Sequence, residues 1–250
     1  MSNVYDNNYL LNLSAKYIVP LIIKHLSFPE NSGRLDLIDV GCGNGSVLQL
    51  LKNHYGSCFE YTGIDLYKNE IGGIKFHQVD LNGNFSNGFK KYDVVICCEV
   101  IEHVIDTDAF ISGVKKLLNG NGILILTTPN LGSFLNRILL LFGFQPLHTE
   151  VSWKNPYLGR EILYEIGKIG RSPAAGHLRL FTFRALRDFL SFHGFEIMAV
   201  DGFAPYEGIM KRVSGFFRLF PGLMPGMFFA ARLTKVISQA VTPVISGGRR

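Results

Sequence analysis

Apolar positions along this chain fall into two alternating patterns. Short runs that are apolar almost throughout, Leu35 to Val40, Tyr61 to Leu66, Ile74 to Asp80, Tyr92 to Cys98 and Ile123 to Thr128, predict five strands. Runs of this kind suit strands covered on both faces, where alternation with polar residues is not needed. Between them the apolar residues recur at helical spacing. Tyr9 to Leu26 predicts a helix through Leu10, Leu13, Tyr17 and Leu21, with Pro20 expected to kink or interrupt it. Ser46 to Leu51 opens a second helix, and Ile105 to Leu118 forms a third that Asn119-Gly120-Asn121-Gly122 ends. Strands and helices in this alternation predict a parallel sheet with helices on both sides.

The texture changes after Asn130. Leu131 to Phe144 reads as an amphipathic helix, followed by a polar loop with Trp153, Pro156 and Pro173. Thr182 to His193 has an N-cap at Thr182, apolar Phe183, Leu186, Phe189 and Leu190, and Gly194 at its end, which predicts a helix. Phe195 to Val200 and Met227 to Leu233 predict two final strands.

With 47% hydrophobic and 18% charged residues, the chain can bury a sizeable core. It opens on Met1-Ser2-Asn3-Val4-Tyr5-Asp6 without a basic segment leading into an apolar one, and its longest tight apolar run, Ile138 to Phe142, is too short to span a bilayer. Cytoplasmic location is the expectation. Cys42, Cys58, Cys97 and Cys98 form no CxxC pair, so neither a zinc nor a redox motif is indicated, and reduced cysteines are expected. The net charge is +5, yet Gly208 to Arg250 alone holds seven basic residues and no acid, which leaves −2 for the remainder. The basic character therefore belongs to the C-terminal part.

The strongest chemical signal is Asp39-Val40-Gly41-Cys42-Gly43-Asn44-Gly45, between the first strand and its helix. Glycines permit a sharp turn and close approach of a ligand, and the following helix offers free N–H groups. By itself such a turn is as readily structural as functional. Asp65 and Asp80 add to it, because they end successive strands beside the turn. A carboxylate at Asp65 can accept both hydroxyls of a ribose, and one at Asp80 can accept an adenine amino group. The spacing is GxGxG; the GxGxxG of dinucleotide sites would need a glycine at Ser46.

These segments resemble the class I S-adenosylmethionine-dependent methyltransferases. Asp39 to Gly45 is similar to their first motif, Gly63-Ile64-Asp65-Leu66 to their second, and Val79-Asp80-Leu81 to their adenine-contacting segment. Tyr92 to Val95 and Leu117 to Gly122 match in order and spacing. The resemblance implies an α/β, Rossmann-like three-layer sandwich with a seven-stranded, mostly parallel sheet whose last strand is antiparallel. It implies S-adenosylmethionine as cofactor, contacted by Asp39, Gly41, Cys42, Gly43, Gly45, Asp65, Leu66, Asp80, Leu81 and Glu99. One domain is expected over 1–250: a helical cap at 1–34, the cofactor-binding core at 35–130, a substrate-side insertion at 131–180, and the C-terminal helix and strands at 181–250.

After the fourth strand, Glu99-Val100-Ile101-Glu102-His103-Val104 resembles the ExxEH segment of quinone-biosynthesis O-methyltransferases and of small-RNA 2′-O-methyltransferases. There the segment is associated with a divalent metal, which implies Glu99, Glu102 and His103 as ligands here, with His177 completing the set and Mg²⁺ or a similar ion bound. Three readings of His103 stand at this point: metal ligand, metal-free base or substrate contact, and helix-start packing.

Substrate walls are expected from Val4 to Leu26 and from Leu131 to His177, where Tyr5, Tyr9, Phe134, Phe142, Phe144, Trp153, Tyr157 and Tyr164 suit a small apolar or amphipathic acceptor, quinone-like, lipid-linked or a saccharide. These aromatics equally suit core packing. Phe216, Phe217, Leu219, Phe220, Leu223 and Met224, mixed with basic residues, suit an anionic membrane surface as well as ordinary packing. The basic tail also fits RNA, though no RNA-binding module is recognisable. A nicotinamide-dependent dehydrogenase and a non-catalytic binding subunit are the readings from other classes.

Overall fold

The computed structural model describes residues 8–28, 33–67, 72–162, 175–205 and 215–234. Helix α1 (Asn8–His25) leads into strand β1 (Leu35–Val40), followed by α2 (Ser46–Tyr55), β2 (Phe59–Asp65), β3 (Lys75–Gln78) and β4 (Tyr92–Cys98). Then come α3 (Thr107–Leu117), β5 (Leu118–Pro129), α4 (Phe134–Leu141), α5 (Phe183–Phe192), β6 (Phe195–Phe203) and β7 (Gly226–Leu233). The seven strands form one sheet in the order β3-β2-β1-β4-β5-β7-β6. Strands β1 to β5 pair in parallel, and β7 runs antiparallel to both β5 and β6.

Alternate strand residues face opposite layers, which explains why the apolar runs are continuous. Ile38, Val95, Leu124 and Phe229 pack with Phe110, Ile111 and Val114 of α3 and with Leu186 and Leu190 of α5. Leu37, Val94, Ile96 and Phe228 pack on the other side with Ile18 and Ile22 of α1 and Leu48 and Leu51 of α2. Both layers are needed, because a sheet this apolar cannot leave either face in water. Among the described residues no helix is long and apolar enough to cross a membrane.

Several expected boundaries shift for identifiable reasons. Pro20 does not interrupt α1, which continues to His25. Pro20 is exposed while Ile18, Val19, Leu21 and Ile22 are buried, so burial of one face holds the helix across the missing N–H. Strand β3 stops at Gln78, so Asp80 lies beyond it rather than ending it. Asn119 to Gly122 does not separate α3 from β5: the strand begins at Leu118, and a register shift between Tyr92 and Val94 of β4 accommodates the extra residues. Helix α3 starts at Thr107, where the Asp106 side chain accepts the Ala109 N–H. Helix α4 is shorter than expected, capped by Ser133 through the Asn136 N–H. Thr182 caps α5 by accepting from Ala185, as expected.

Candidate active site

The carboxyl ends of β1, β2, β4 and β5 meet where a ligand site is expected in an open parallel sheet. The loop after β1 holds three glycines with positive φ: Gly41 (80°), Gly43 (52°) and Gly45 (77°). Gly41 has a second reason to be glycine, since a Cβ there would lie 2.4 Å from Cγ2 of Val100. The loop is stapled to β2. The N–H groups of Gly41 and Cys42 both donate to the Ile64 carbonyl, at 2.8 and 3.1 Å. The Gly43 N–H donates to Asp65 Oδ2 at 2.9 Å, while Asp65 Oδ1 accepts from the Tyr67 N–H at 3.2 Å.

Asp39 lies almost fully buried in β1, and its Oδ1 has no hydrogen-bond partner among the described residues. Burial first, and then the negative charge of Asp65, push its carboxyl up to about 8. Leu66 is exposed just past β2. Asp80 stands exposed in a turn; its Oδ1 accepts the Asn82 N–H at 2.9 Å, and Asn82 Oδ1 accepts the Ile105 N–H at 2.8 Å. Asp80 and Leu81, which is partly buried against the core, are thus clipped to the segment preceding α3.

The ExxEH segment wraps over the ends of β4 and β5. Glu99 follows β4 with φ 57°; its N–H donates to the Thr127 carbonyl and its Oε1 accepts the Thr127 hydroxyl at 2.8 Å. Glu102 is fully buried, and its Oε2 accepts the Thr128 hydroxyl at 2.9 Å. Its backbone carbonyl accepts the N–H groups of Leu178 and Arg179, which brings the distant 175–179 strand of chain onto the segment. Glu102 Oε1 is buried without a hydrogen-bond partner among the described residues, 4.0 Å from Nε2 of His103. His103 Nδ1 faces the Gly176 carbonyl at 3.3 Å, and its ring lies 4.9 Å from that of His177 at 31°.

Glu102, His103 and His177 each offer one ligand atom, all within 4.8 Å of one another. The structure therefore brings together three of the four expected metal ligands. Glu99 is outside that group, because its side chain turns to Thr127. Burial pushes Glu99 up to about 7 against the Thr127 hydroxyl and the charge of His177, and burial together with Glu99 pushes Glu102 well above the carboxylate range. Partial burial and then the neighbouring His177 lower His103 to about 4.

Two residues of the site carry no recognised motif. His148 and Glu150 lie on the loop after α4 and enclose His177: Nδ1 of His177 is 3.2 Å from the His148 carbonyl oxygen and 3.5 Å from Glu150 Oε2. Burial would raise Glu150, but contact with His177 and two backbone N–H groups outweigh it and hold the carboxyl at about 2. The only available sequence signal was His148-Thr149-Glu150 itself, polar residues with metal- and proton-binding side chains inside the insertion.

Of the expected substrate walls, Phe134 is buried, Phe142 and Trp153 are largely exposed, and the Trp153 ring lies against Gly176. Tyr5 and Tyr164 lie outside the described residues, as does the side chain of Tyr9. Phe134 stacks on Phe217 with ring centroids 4.6 Å apart, so α4 adjoins the 215–223 segment. Ile138, Leu141 and Phe142 on one element and Phe216, Leu219 and Phe220 on the other are exposed.

Comparison with known proteins adds to this geometry. A family model described as a methyltransferase domain matches residues 15–200. The ubiquinone biosynthesis O-methyltransferase of Rickettsia canadensis is 32% identical over 124 residues, covering 46% of this chain and 50% of that protein. The protein of the same name from Pelagibacter ubique is 33% identical over 127 residues, covering 46% and 52%. The chain spans about half the length of these curated relatives. Among solved structures, a SAM-dependent methyltransferase from Thermotoga maritima superposes with a TM-score of 0.55 at 15% identity, covering 91% and 93% of the two chains. The 1,6-didemethyltoxoflavin-N1-methyltransferase of Burkholderia thailandensis, solved with S-adenosylhomocysteine, gives 0.54 at 12% identity, covering 91% and 80%. At these identities the superpositions establish the fold, a Rossmann-like sandwich with a seven-stranded, mostly parallel sheet.

Proposed function

From the premise that this chain belongs to the methyltransferase-domain family, we propose that it transfers the methyl group of S-adenosylmethionine to an oxygen of a small, apolar, quinone-like or lipid-linked acceptor. The observation that carries the reading is the left-handed glycine loop tied through the Gly43 N–H to Asp65, with the Asp39 carboxyl buried beside it. Asp39 Oδ1, buried and unpartnered, suits the ammonium of the methionine moiety. Asp65 has lone pairs left for ribose hydroxyls, and Asp80, with Leu81 beside it, suits the adenine. Gly41, Cys42 and Gly45 shape the loop, and Leu66 and Glu99 flank it. Family membership sets aside the nicotinamide-dependent reading.

In the reaction the acceptor oxygen bonds to the methyl carbon as the carbon–sulfur bond breaks and its electron pair stays on sulfur. The acceptor proton must leave, and alignment of the two reacting atoms does most of the rest. His103 is the residue we assign to that proton: its ring is neutral at physiological pH and so carries a lone pair that can accept. A second reading of the same cluster is a divalent ion, favoured by the orphaned Glu102 Oε1 and by ligand atoms within 4.8 Å. Glu102, His103 and His177 would hold it, with Glu99 behind them bonded to Thr127. Such an ion would lower the pKa of an acceptor hydroxyl.

The acceptor's membrane character has its own support. The 131–149 and 208–250 stretches, which carry the exposed apolar residues of α4 and of the 215–223 segment, contain eight Lys or Arg and no acid. We assign this face to the surface of an anionic bilayer, from which a lipid-like acceptor would be drawn. Lys211, Arg212, Lys235, Arg249 and Arg250 lie outside the described residues, and so does the side chain of Arg218. The finding that tests the function is calorimetric titration with S-adenosylhomocysteine. It is followed by transfer from labelled S-adenosylmethionine to hydroxylated acceptors such as 3,4-dihydroxybenzoate, with Mg²⁺ and with EDTA. Absence of binding at millimolar ligand would overturn it; equal turnover with EDTA would retire the metal reading alone.

A further inference from the structure

One ring nitrogen of His177 faces two oxygens and is hydrogen-bonded to the first of them, the second being a buried carboxylate oxygen at longer range. Its Nδ1 lies 3.2 Å from the His148 carbonyl oxygen and 3.5 Å from Oε2 of Glu150. A carbonyl cannot donate a proton, and neither can a carboxylate, so Nδ1 carries the hydrogen. The lone pair of the neutral ring then sits on Nε2. His103 repeats the arrangement, with Nδ1 facing the Gly176 carbonyl at 3.3 Å and Nε2 4.0 Å from Glu102 Oε1.

The backbone is distorted where it makes this possible. Among the described residues, the only non-glycine positions with positive φ are Glu99 at 57° and His148 at 68°, and both border the cluster. A histidine in this conformation is uncommon, and such strain gathers where surrounding structure imposes it for a purpose. At His148 it accompanies the placement of the carbonyl against His177. Glu150 is itself fixed, its Oε1 receiving the Ala175 N–H at 3.5 Å. Carboxylate, imidazole and the second imidazole thus stand in sequence from the 148–150 corner to Glu102.

We propose that Glu150 is a positioning residue for His177: its carboxylate, 3.5 Å from Nδ1, adds its charge to the hydrogen bond with the His148 carbonyl in favouring the Nδ1–H tautomer, and so leaves the lone pair on Nε2 of a ring 4.9 Å from that of His103. A ring with the opposite tautomer would present a donor there, useless for receiving a proton or binding a cation. The assignment deepens the proposed function, since it rests on that cluster as the place where the acceptor hydroxyl is deprotonated. A purely structural Glu150, tying the 148–150 corner to Ala175, would affect stability and leave the tautomer alone.

The test is long-range ¹H–¹⁵N correlation on histidine-labelled protein, at a pH where the ring is neutral. Wild type is expected to show His177 as a single Nδ1–H tautomer. In Glu150→Ala the two ring nitrogen shifts should move toward each other as the Nε2–H form gains population, and Glu150→Gln, which fills the space without the charge, should restore only part of the wild-type pattern. An Nε2–H or averaged His177 in wild type overturns the proposal, as does an unchanged spectrum in folded Glu150→Ala. The wild-type measurement needs no variant, so a Glu150→Ala protein that fails to fold does not shield the proposal. The spectra also use neither cofactor nor acceptor. Failure to bind S-adenosylhomocysteine would therefore count against methyl transfer and leave the tautomer result readable.

Discussion

The Gly43 N–H donates to Oδ2 of Asp65 at 2.9 Å, so the acid at the tip of β2 holds the shape of the glycine loop as well as facing the site that loop encloses. Two substitutions separate the roles. Asp65→Ala should lower thermal stability and weaken S-adenosylhomocysteine binding by about 1–3 kcal/mol, through loss of the loop tie and of a charged acceptor. Asp65→Asn keeps an oxygen for Gly43 while replacing a charged acceptor by an amide, so it should retain most stability and still lose affinity. Titration calorimetry and thermal melts measure both; wild-type affinity in each variant would remove Asp65 from the ligand.

Gly41 is constrained twice, by φ of 80° and by the 2.4 Å separation between a Cβ built there and Val100 Cγ2. Gly41→Ala should therefore destabilise by roughly 2–4 kcal/mol, combining strained backbone with a clash inside the core. Gly88 has the same φ of 80° with nothing within 4 Å of an added Cβ, so Gly88→Ala carries the backbone part alone. Urea unfolding of the pair should rank Gly41→Ala well below Gly88→Ala. Equal stabilities would mean that Val100 moves aside freely.

The sheet was legible because burial on both faces leaves strands apolar throughout, and Tyr92 to Cys98 appears with the boundaries its apolar run implies. Cap chemistry was legible too, as Thr182 shows. Pro20 misleads because local propensity yields to burial of the helix face beneath it. Asp80 misleads because a strand end depends on what its partner strand offers; the pairing of β2 with β3 runs from Thr62 and Lys75 and ends at Asp65 and Gln78. The site was half legible. Glu102 and His103 are neighbours in a motif, whereas His148 and Glu150 reach His177 across 29 and 27 positions through a backbone conformation that no histidine advertises.

Asp39 gives a pH dependence with a definite sign. Its carboxyl sits at about 8 in the folded protein against 3.8 as the ordinary value, because burial disfavours the charge. Between those values the folded chain keeps a proton that the unfolded chain has released. Its contribution to stability is thus fully present below about pH 4, falls as pH rises toward 8 and is level above it. Asp39→Asn has no such proton. The stability of the wild type relative to Asp39→Asn, both without ligand, should decline across that window in urea titrations at successive pH. A difference that does not change with pH would show that Asp39 is ionised when folded.

The exposed face joined by the Phe134–Phe217 stack yields the last prediction. Leu141 is 79% exposed on α4, and Leu219 is 86% exposed in the 215–223 segment. Single exposed apolar residues are ordinary, but several from two adjoining elements, in stretches free of acids of which the second holds seven bases, favour an anionic lipid surface. The protein should sediment with vesicles containing phosphatidylglycerol at low salt and much less with phosphatidylcholine alone, and salt should release it. Leu141→Glu with Leu219→Glu should weaken that binding by about tenfold or more, since apolar contact is lost and negative charge gained. Neither side chain supports the core, so the melting temperature should hold. No association at low salt, or equal association of the double variant, would end the membrane assignment. A concentration-dependent dimer that the same double variant abolishes would give the face to a second copy of the chain instead.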